Sequence, residues 1–408
     1  MIWRLLLILI VAWSLIGCAD DQSIAPTNAS TAPTNAPTVS ANQANVPLNA
    51  WTNIAFSDQV VYKLDISPIS PTVMFTSLKT MLYRSVNEGQ IWEPLPLSVA
   101  CPETVADFFI HQSHPEEIYT FSSASVDGTG CVYWGYSNDA GSTWKAQAVP
   151  EREYMGGILR PHTAIMFTHP QTGDWYRLFR TSFLARGNEE TFARSTDSGE
   201  SWQIETLPPS VEHTTNPSQH VYGFFWTEEG VALLGSSRDA YYLSPTAGAG
   251  HLYYRLDERE WQQLTTPEGI ILKVFIAPDM SDVYILVGSQ LDNYSQLELY
   301  KMNEQLKFER VTLTPLSGLP IGLYVDPANQ DRLFIYKQIY SEESSQTESI
   351  YFSENGGRIW QELRLPRPLT IYDLVVQPAN RDGISKLYLA SNRGIWAYAY
   401  TSYLLPQE

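Results

Sequence analysis

Three observations predict an all-β chain folded as a seven-bladed β-propeller. An eight-residue motif recurs four times. Its spacing, filled in by two weaker copies, is about 50–60 residues, the size of one four-stranded unit with a long loop. The chain also carries 24 Tyr and 12 Trp between turns rich in Gly and Pro, a composition of strands and not of helices.

The motif reads Ser-x-Asp/Asn-x-Gly-x-x-Trp. Its residues are Ser85, Asn87, Gly89 and Trp92; Ser137, Asp139, Gly141 and Trp144; Ser195, Asp197, Gly199 and Trp202; and Ser353, Asn355, Gly357 and Trp360. Each copy follows an apolar or aromatic run such as Cys131-Val132-Tyr133-Trp134-Gly135-Tyr136, so it falls where one strand ends and the next begins. Asp or Asn in a turn accepts hydrogen bonds from nearby backbone amides, and Ser supports it. Gly supplies a positive φ. Trp gives the returning strand a large face to bury. The residue types describe a hairpin-holding device, with the carboxylate holding the turn and doing no catalysis. Of the weaker copies, Tyr253–Trp261 has lost the Gly, and Lys301–Phe308 keeps Asn303 and a final aromatic.

Each unit begins with an apolar strand ending in a Pro- or His-containing turn, as in Ile66-Ser67-Pro68, Ile276-Ala277-Pro278 and Val376-Gln377-Pro378. A second strand, an aromatic third strand, the motif and a fourth strand follow. This gives six complete units, at about 60–97, 103–149, 157–208, 219–266, 270–315 and 318–366. A seventh starts at Ile371 and stops after three strands. Ala50-Trp51-Thr52-Asn53-Ile54 reads like the strand after each motif. It is expected to supply the missing fourth strand and close the ring without a free edge. The propeller then spans 49–402, with a tail at 403–408.

The octapeptide resembles the Asp box, or BNR repeat, of bacterial sialidases, sortilin-type receptors, some glucanases and photosystem II assembly propellers. The resemblance implies a sialidase-like propeller fold. It implies either of two functions: a module that binds a protein or a glycan, or a sialidase-like exo-glycosidase acting on extracellular glycans. Sialidases carry a Phe/Tyr-Arg-Ile-Pro motif before the first box, which supplies one arginine of a carboxylate-binding triad. The matching stretch here, Asp58–Phe75, contains no Arg. That departure favours the binding module over the glycoside hydrolase. No Gly-x-Ser-x-Gly elbow or phosphate loop occurs, and no nucleophile pair stands out.

Residues 1–17 have the form of a signal peptide: Arg4, then an apolar run from Leu5 to Leu15, shorter than a membrane span. The run ends in Leu15-Ile16-Gly17-Cys18, which resembles a bacterial lipobox. The resemblance implies cleavage before Cys18, lipidation of that cysteine and export. The protein would be anchored to a cell membrane, facing the outside or the periplasm. Residues 18–48 are dominated by Ala, Pro, Thr, Asn and Ser. They read as an unstructured linker, since so little apolar surface cannot offset chain entropy.

Three cysteines occur, and with Cys18 assigned to the anchor only Cys101 and Cys131 are left to pair. An exported chain permits that disulfide; two unpaired core residues are the alternative. A net charge of −18 without a basic run argues against nucleic acid, which needs clustered cations. The histidines lack the close spacing of metal ligands, so no metal or other cofactor is expected. A monomer is expected.

Successive strands alternate direction. The motif turns and the first-to-second-strand turns therefore share one face. The other face carries the long segments Ser122–Gly130, Arg180–Glu190, Ser236–Gly250, Gly288–Gln296 and Lys337–Ser349. Long loops on a rigid scaffold commonly carry function. Candidate ligand-binding residues on that face are Arg160, His162, His213, His220, Tyr222 and Arg238. The arginines suit a carboxylate. Cys18→Ser is expected to move the protein from the membrane fraction to the soluble fraction, read by fractionation and blotting. Retention in membranes at the wild-type level would refute lipidation.

Overall fold

The computed structural model describes residues 38–40, 46–79, 81–97, 105–111, 113–126, 129–148, 165–169, 171–183, 187–206, 219–226, 231–238, 251–256, 260–277, 282–288, 297–311, 320–326, 328–337, 339–340 and 345–401. The chain is an all-β propeller. Its first strands, in chain order, are Val61–Ile66, Val105–Ile110, Ile165–Thr168, Gln219–Trp226, Ile270–Ile276, Pro320–Asp326 and Ile371–Gln377. Each heads a separate antiparallel sheet of four or five strands. The last sheet takes its fourth strand from the other end of the chain. Trp51–Ala55 pairs with Gly394–Thr401, with Trp51 opposite Tyr398 and Ala55 opposite Ile395.

Apolar side chains lie between neighbouring sheets. Phe75, Leu82 and Leu95 of the first sheet meet Phe108, Ile110 and Ile118 of the second. Leu252 and Leu264 of the fourth meet Ile271, Ile285 and Val287 of the fifth. Trp92 and Leu64 of the first sheet pack with Val375, Tyr388 and Ile395 of the last. Polar bonds cross that last junction too: Lys386 Nζ donates to Glu88 Oε2 at 2.5 Å, and Gln377 Nε2 to Pro71 O at 2.8 Å.

The four motif turns share one geometry. Ser137 Oγ donates to Asp139 Oδ1 at 2.8 Å and accepts from Gly141 N at 2.8 Å. Asp139 Oδ1 then accepts from Thr143 N at 2.8 Å. The same three bonds recur at Ser85, Ser195 and Ser353. In the weaker copy, Asn303 Oδ1 still accepts from Lys307 N at 3.0 Å. The hydroxyl and amide of Ser201, with Ser195 Oγ, hold the Asp197 carboxyl down at about 2.

Two consecutive residues in each turn are left-handed, for example Ala140 at φ 55° and Gly141 at φ 85°. The second must be Gly for two reasons. The backbone conformation is one, and close approach to the preceding sheet is the other. A Cβ on Gly141 would lie 2.5 Å from Leu95 Cδ1, and one on Gly199 would lie 1.5 Å from the Tyr119 hydroxyl. The preceding sheet also grips the residue before the glycine. Arg84 Nη1 donates to Ala140 O at 2.9 Å, and Tyr119 OH to Ser198 O at 2.6 Å. Further along the second and third sheets, His111 Nδ1 accepts from Ser113 N and His114 N, so Nε2 carries the proton it donates to Gly173 O at 2.8 Å.

Two features differ from the sequence reading. The folded part was expected to begin at Asn49, yet Val39–Ser40 already pairs with the outer strand Ile91–Pro94. The unpaired edge of that strand offers backbone hydrogen bonds to any extended segment, and Val39 and Val46 add apolar contact with the core. The segments Ser122–Gly130 and Arg180–Glu190, read as long loops, are mostly strand. Ile118–Val126 pairs with Thr129–Ser137 as far as Val126–Thr129, and Trp175–Phe183 with Gly187–Ser195 as far as Phe183–Gly187. Thr129, Val132 and Tyr133 are β-branched or aromatic and favour continued pairing.

Gly383 has φ 73° with nothing near its would-be Cβ. Gly383→Ala should therefore cost only backbone strain, about 1 kcal/mol. Gly141→Ala adds a clash with Leu95 and should cost about 2–4 kcal/mol. Asp139→Ala should cost about 1–2 kcal/mol. Denaturant unfolding gives the values. Equal losses for the two glycines would show that Gly141 serves its turn only and not the sheet contact.

Candidate functional site

The first strands line the axis, and six of them share an irregularity. Near its start, pairing with the second strand slips by one residue at Val61/Lys63, Val105/Asp107, Val221/Gly223, Ile271/Lys273, Pro320/Gly322 and Ile371/Asp373. A bulge of this kind leaves one residue unpaired and re-aims its neighbour. The extra residues are Tyr62, Ala106, Tyr222, Leu272, Ile321 and Tyr372. Those that follow include Lys63, Asp107 and Asp373.

Three of these strands enclose a cavity of about 260 Å3, lined by Lys63, Asp65, Tyr324, Tyr336 and Asp373, with Gly322 and the apolar Leu64, Leu323, Leu374 and Val375. Gly322 admits the Tyr336 ring: a Cβ there would lie 2.1 Å from that ring. The Lys63 ammonium donates to Asp107 Oδ1 at 2.8 Å and to Phe108 O at 2.6 Å, and sits 4.5 Å from the Phe109 ring centroid. Asp373 Oδ2 accepts from Leu64 N at 3.1 Å and Oδ1 from Leu374 N at 2.9 Å. Asp65 Oδ1 accepts from Ile66 N at 2.8 Å. Just before Lys63 and Asp373 in their strands, the Tyr62 and Tyr372 rings meet with centroids 5.3 Å apart, tilted by 50°. They are 40% and 41% exposed.

The carboxylates are half-buried, with one side toward the cavity. Removal from bulk water pushes Asp373 up to about 7, against the opposing pull of Lys63. Burial raises Asp65 as well. For Lys63, burial alone would lower the value, but Asp107 and Asp65 outweigh it and hold the ammonium above its ordinary range. Burial raises the Tyr324 and Tyr336 hydroxyls, keeping them protonated donors.

Of the residues singled out from sequence, Arg160, His162, His213, Cys18 and Cys101 lie outside the described residues. Cys131 is described in backbone only, opposite Ala124. His220, Tyr222 and Arg238 are likewise placed by backbone. Gln219 faces Arg238 and His220 faces Ser237 at one end of a hairpin. Tyr222 occupies the same bulge register as Tyr62 and Tyr372. The residues that line the cavity were missed. Their signal was a charge inside an apolar inner strand, Val61-Tyr62-Lys63-Leu64-Asp65-Ile66 and Ile371-Tyr372-Asp373-Leu374. Charged groups seldom occupy such positions without a partner or a task.

Fold and cavity define a β-propeller with a polar cavity, lined in part by tyrosines, between its first strands. No protein-family model matches the chain, and no curated protein matches it. Solved structures share the fold. The GH74 xyloglucanase from Xanthomonas campestris aligns with a TM-score of 0.58 and 16% identity over 85% of this chain and 53% of its own. The Niastella koreensis GH74 enzyme aligns at 0.56 and 13%, over 88% and 53%. Virginiamycin B lyase from Staphylococcus aureus aligns at 0.53 and 11%, over 86% and 98%. The chain thus spans about half the length of the two GH74 enzymes. At these identities the likeness is one of fold.

Asp373 has a folded value above its unfolded one. The stability tied to its neutral form is fully present below about pH 4 and is lost as pH rises through about 7. Asp373→Asn keeps that position neutral. Denaturation between pH 4 and pH 8 should show the wild type losing ground to the variant, by on the order of 1–2 kcal/mol once the water in the cavity is allowed for. A pH-independent difference would refute the raised value.

Proposed function

We propose that this chain is an exported, lipid-anchored propeller of seven blades, closed by its amino-terminal strand, that binds a glycan without transforming it. The seven-bladed reading is supported by the separate sheet behind each first strand and by the Trp51–Ala55 pairing. Asp-box identity of the turns is supported by their common hydrogen bonds and Gly requirement. The anchor reading rests on Leu15-Ile16-Gly17-Cys18, and the chain acts as a monomer.

One observation carries the glycan reading: a cavity between the first strands that combines two carboxylates, an ammonium and two tyrosines. Saccharides are recognised by hydrogen-bond acceptors and donors for hydroxyls and by aromatic surface for the ring face. A protein partner calls for a broader surface of about 800 Å2 per side. The exo-glycosidase reading draws on Asp65 and Asp373 sharing the cavity, with Asp373 protonated near neutrality as a general acid would be. Against it, the described lining residues include no arginine to hold a sialic acid carboxylate.

A panel of oligosaccharides, tested with the mature chain in detergent, separates these readings. Binding to one saccharide class with no release of reducing sugar is expected. Turnover that disappears in Asp373→Asn would make the protein a hydrolase, and no binding to any saccharide would overturn the glycan reading.

A further inference from the structure

The cavity is charge-imbalanced. Lys63 is committed to Asp107 and the Phe108 carbonyl, at 2.8 and 2.6 Å. Asp65 and Asp373 accept only backbone N–H groups, and neither has a cation within ion-pair distance among the described residues. Two carboxylates therefore line a cavity in which the Lys63 ammonium is already bonded to Asp107, and the described lining carries excess negative charge. A cation carried by a ligand would offset that excess.

The neighbouring aromatics suit the same ligand. Tyr62 and Tyr372 are exposed although large, and they meet across two sheets at the same bulge register. Each bulge places one exposed tyrosine directly before an ionisable lining residue, Tyr62 before Lys63 and Tyr372 before Asp373. Aromatic faces attract ammonium groups electrostatically and stack on apolar ring faces. At about 260 Å3 the space is smaller than a typical drug-sized site and suits a single pyranose.

We propose that this cavity binds one protonated amino-sugar residue, its ammonium between Asp65 and Asp373 and its ring against Tyr62 and Tyr372. This rests on the glycan-binding reading and narrows it to a cationic saccharide.

Calorimetric titration of the mature chain with a β-1,4-linked glucosamine trimer, its N-acetylated counterpart and a glucose trimer tests the assignment. The glucosamine trimer should bind at least tenfold more tightly than either neutral trimer at pH 6.5. Asp373→Asn should weaken it at least tenfold. Because Asp373 accepts two backbone bonds, that variant is checked by its melting temperature. The Tyr62→Ala/Tyr372→Ala double variant, at exposed positions, should show the same loss with melting unchanged. Equal binding of cationic and neutral trimers, or wild-type affinity in the tyrosine variant, overturns the amino-sugar assignment and leaves glycan binding standing. Failure of all three trimers overturns the assignment. Failure across the wider saccharide panel removes the glycan reading as well.

Discussion

The propeller depends on a contact made at the motif turn, where a glycine lies flush against the preceding sheet. Gly141 abuts Leu95, Gly199 abuts the Tyr119 hydroxyl, and Gly357 comes within reach of Val311. The turn's internal bonds hold the chain left-handed over two residues, which brings backbone and not side chain to the surface. Arg84 and Tyr119 then bind the exposed carbonyls of Ala140 and Ser198. The motif is therefore local in its chemistry and non-local in its effect. It joins successive sheets as well as successive strands.

That arrangement leaves the first strands to face one another around the axis. A regular strand would alternate strictly between its two faces. The slip near the start of six of them breaks the alternation, adding one unpaired residue and re-aiming the next. Tyr62 and Tyr372 stay exposed as a result, while Lys63 and Asp373 border the cavity. The neighbouring sheet supplies what each charge lacks: Asp107 for Lys63, and the Leu64 amide for Asp373. The site is thus made from register irregularities in the scaffold and not from its loops.

Much of the fold was legible in the sequence, since both signals are short-range. A turn needing Asn or Asp, then Gly, then Trp within eight residues announces a hairpin wherever it occurs. Its period then sets the size of the repeat. The degenerate copy at Asn303 still makes the turn bond to Lys307, so even a weak match carried structural content. The candidate site was read less well. Long loops were expected to carry the site, and several of those segments are paired strand, as at Ser122–Val126 and Arg180–Phe183. Tyr222, one of the candidates from sequence, shares the bulge register of the tyrosine pair.

By itself the sequence determined the strand order, the unit size and the glycine turns, because each is specified by residues adjacent in the chain. Only the tertiary structure decided which charges share the cavity. Lys63 and Asp373 are more than three hundred residues apart, and no local pattern records that their strands are neighbours around an axis. Nor does composition show that a one-residue slip sends Asp373 to the wall. Both follow from sheet packing and strand pairing, which act between residues the chain separates.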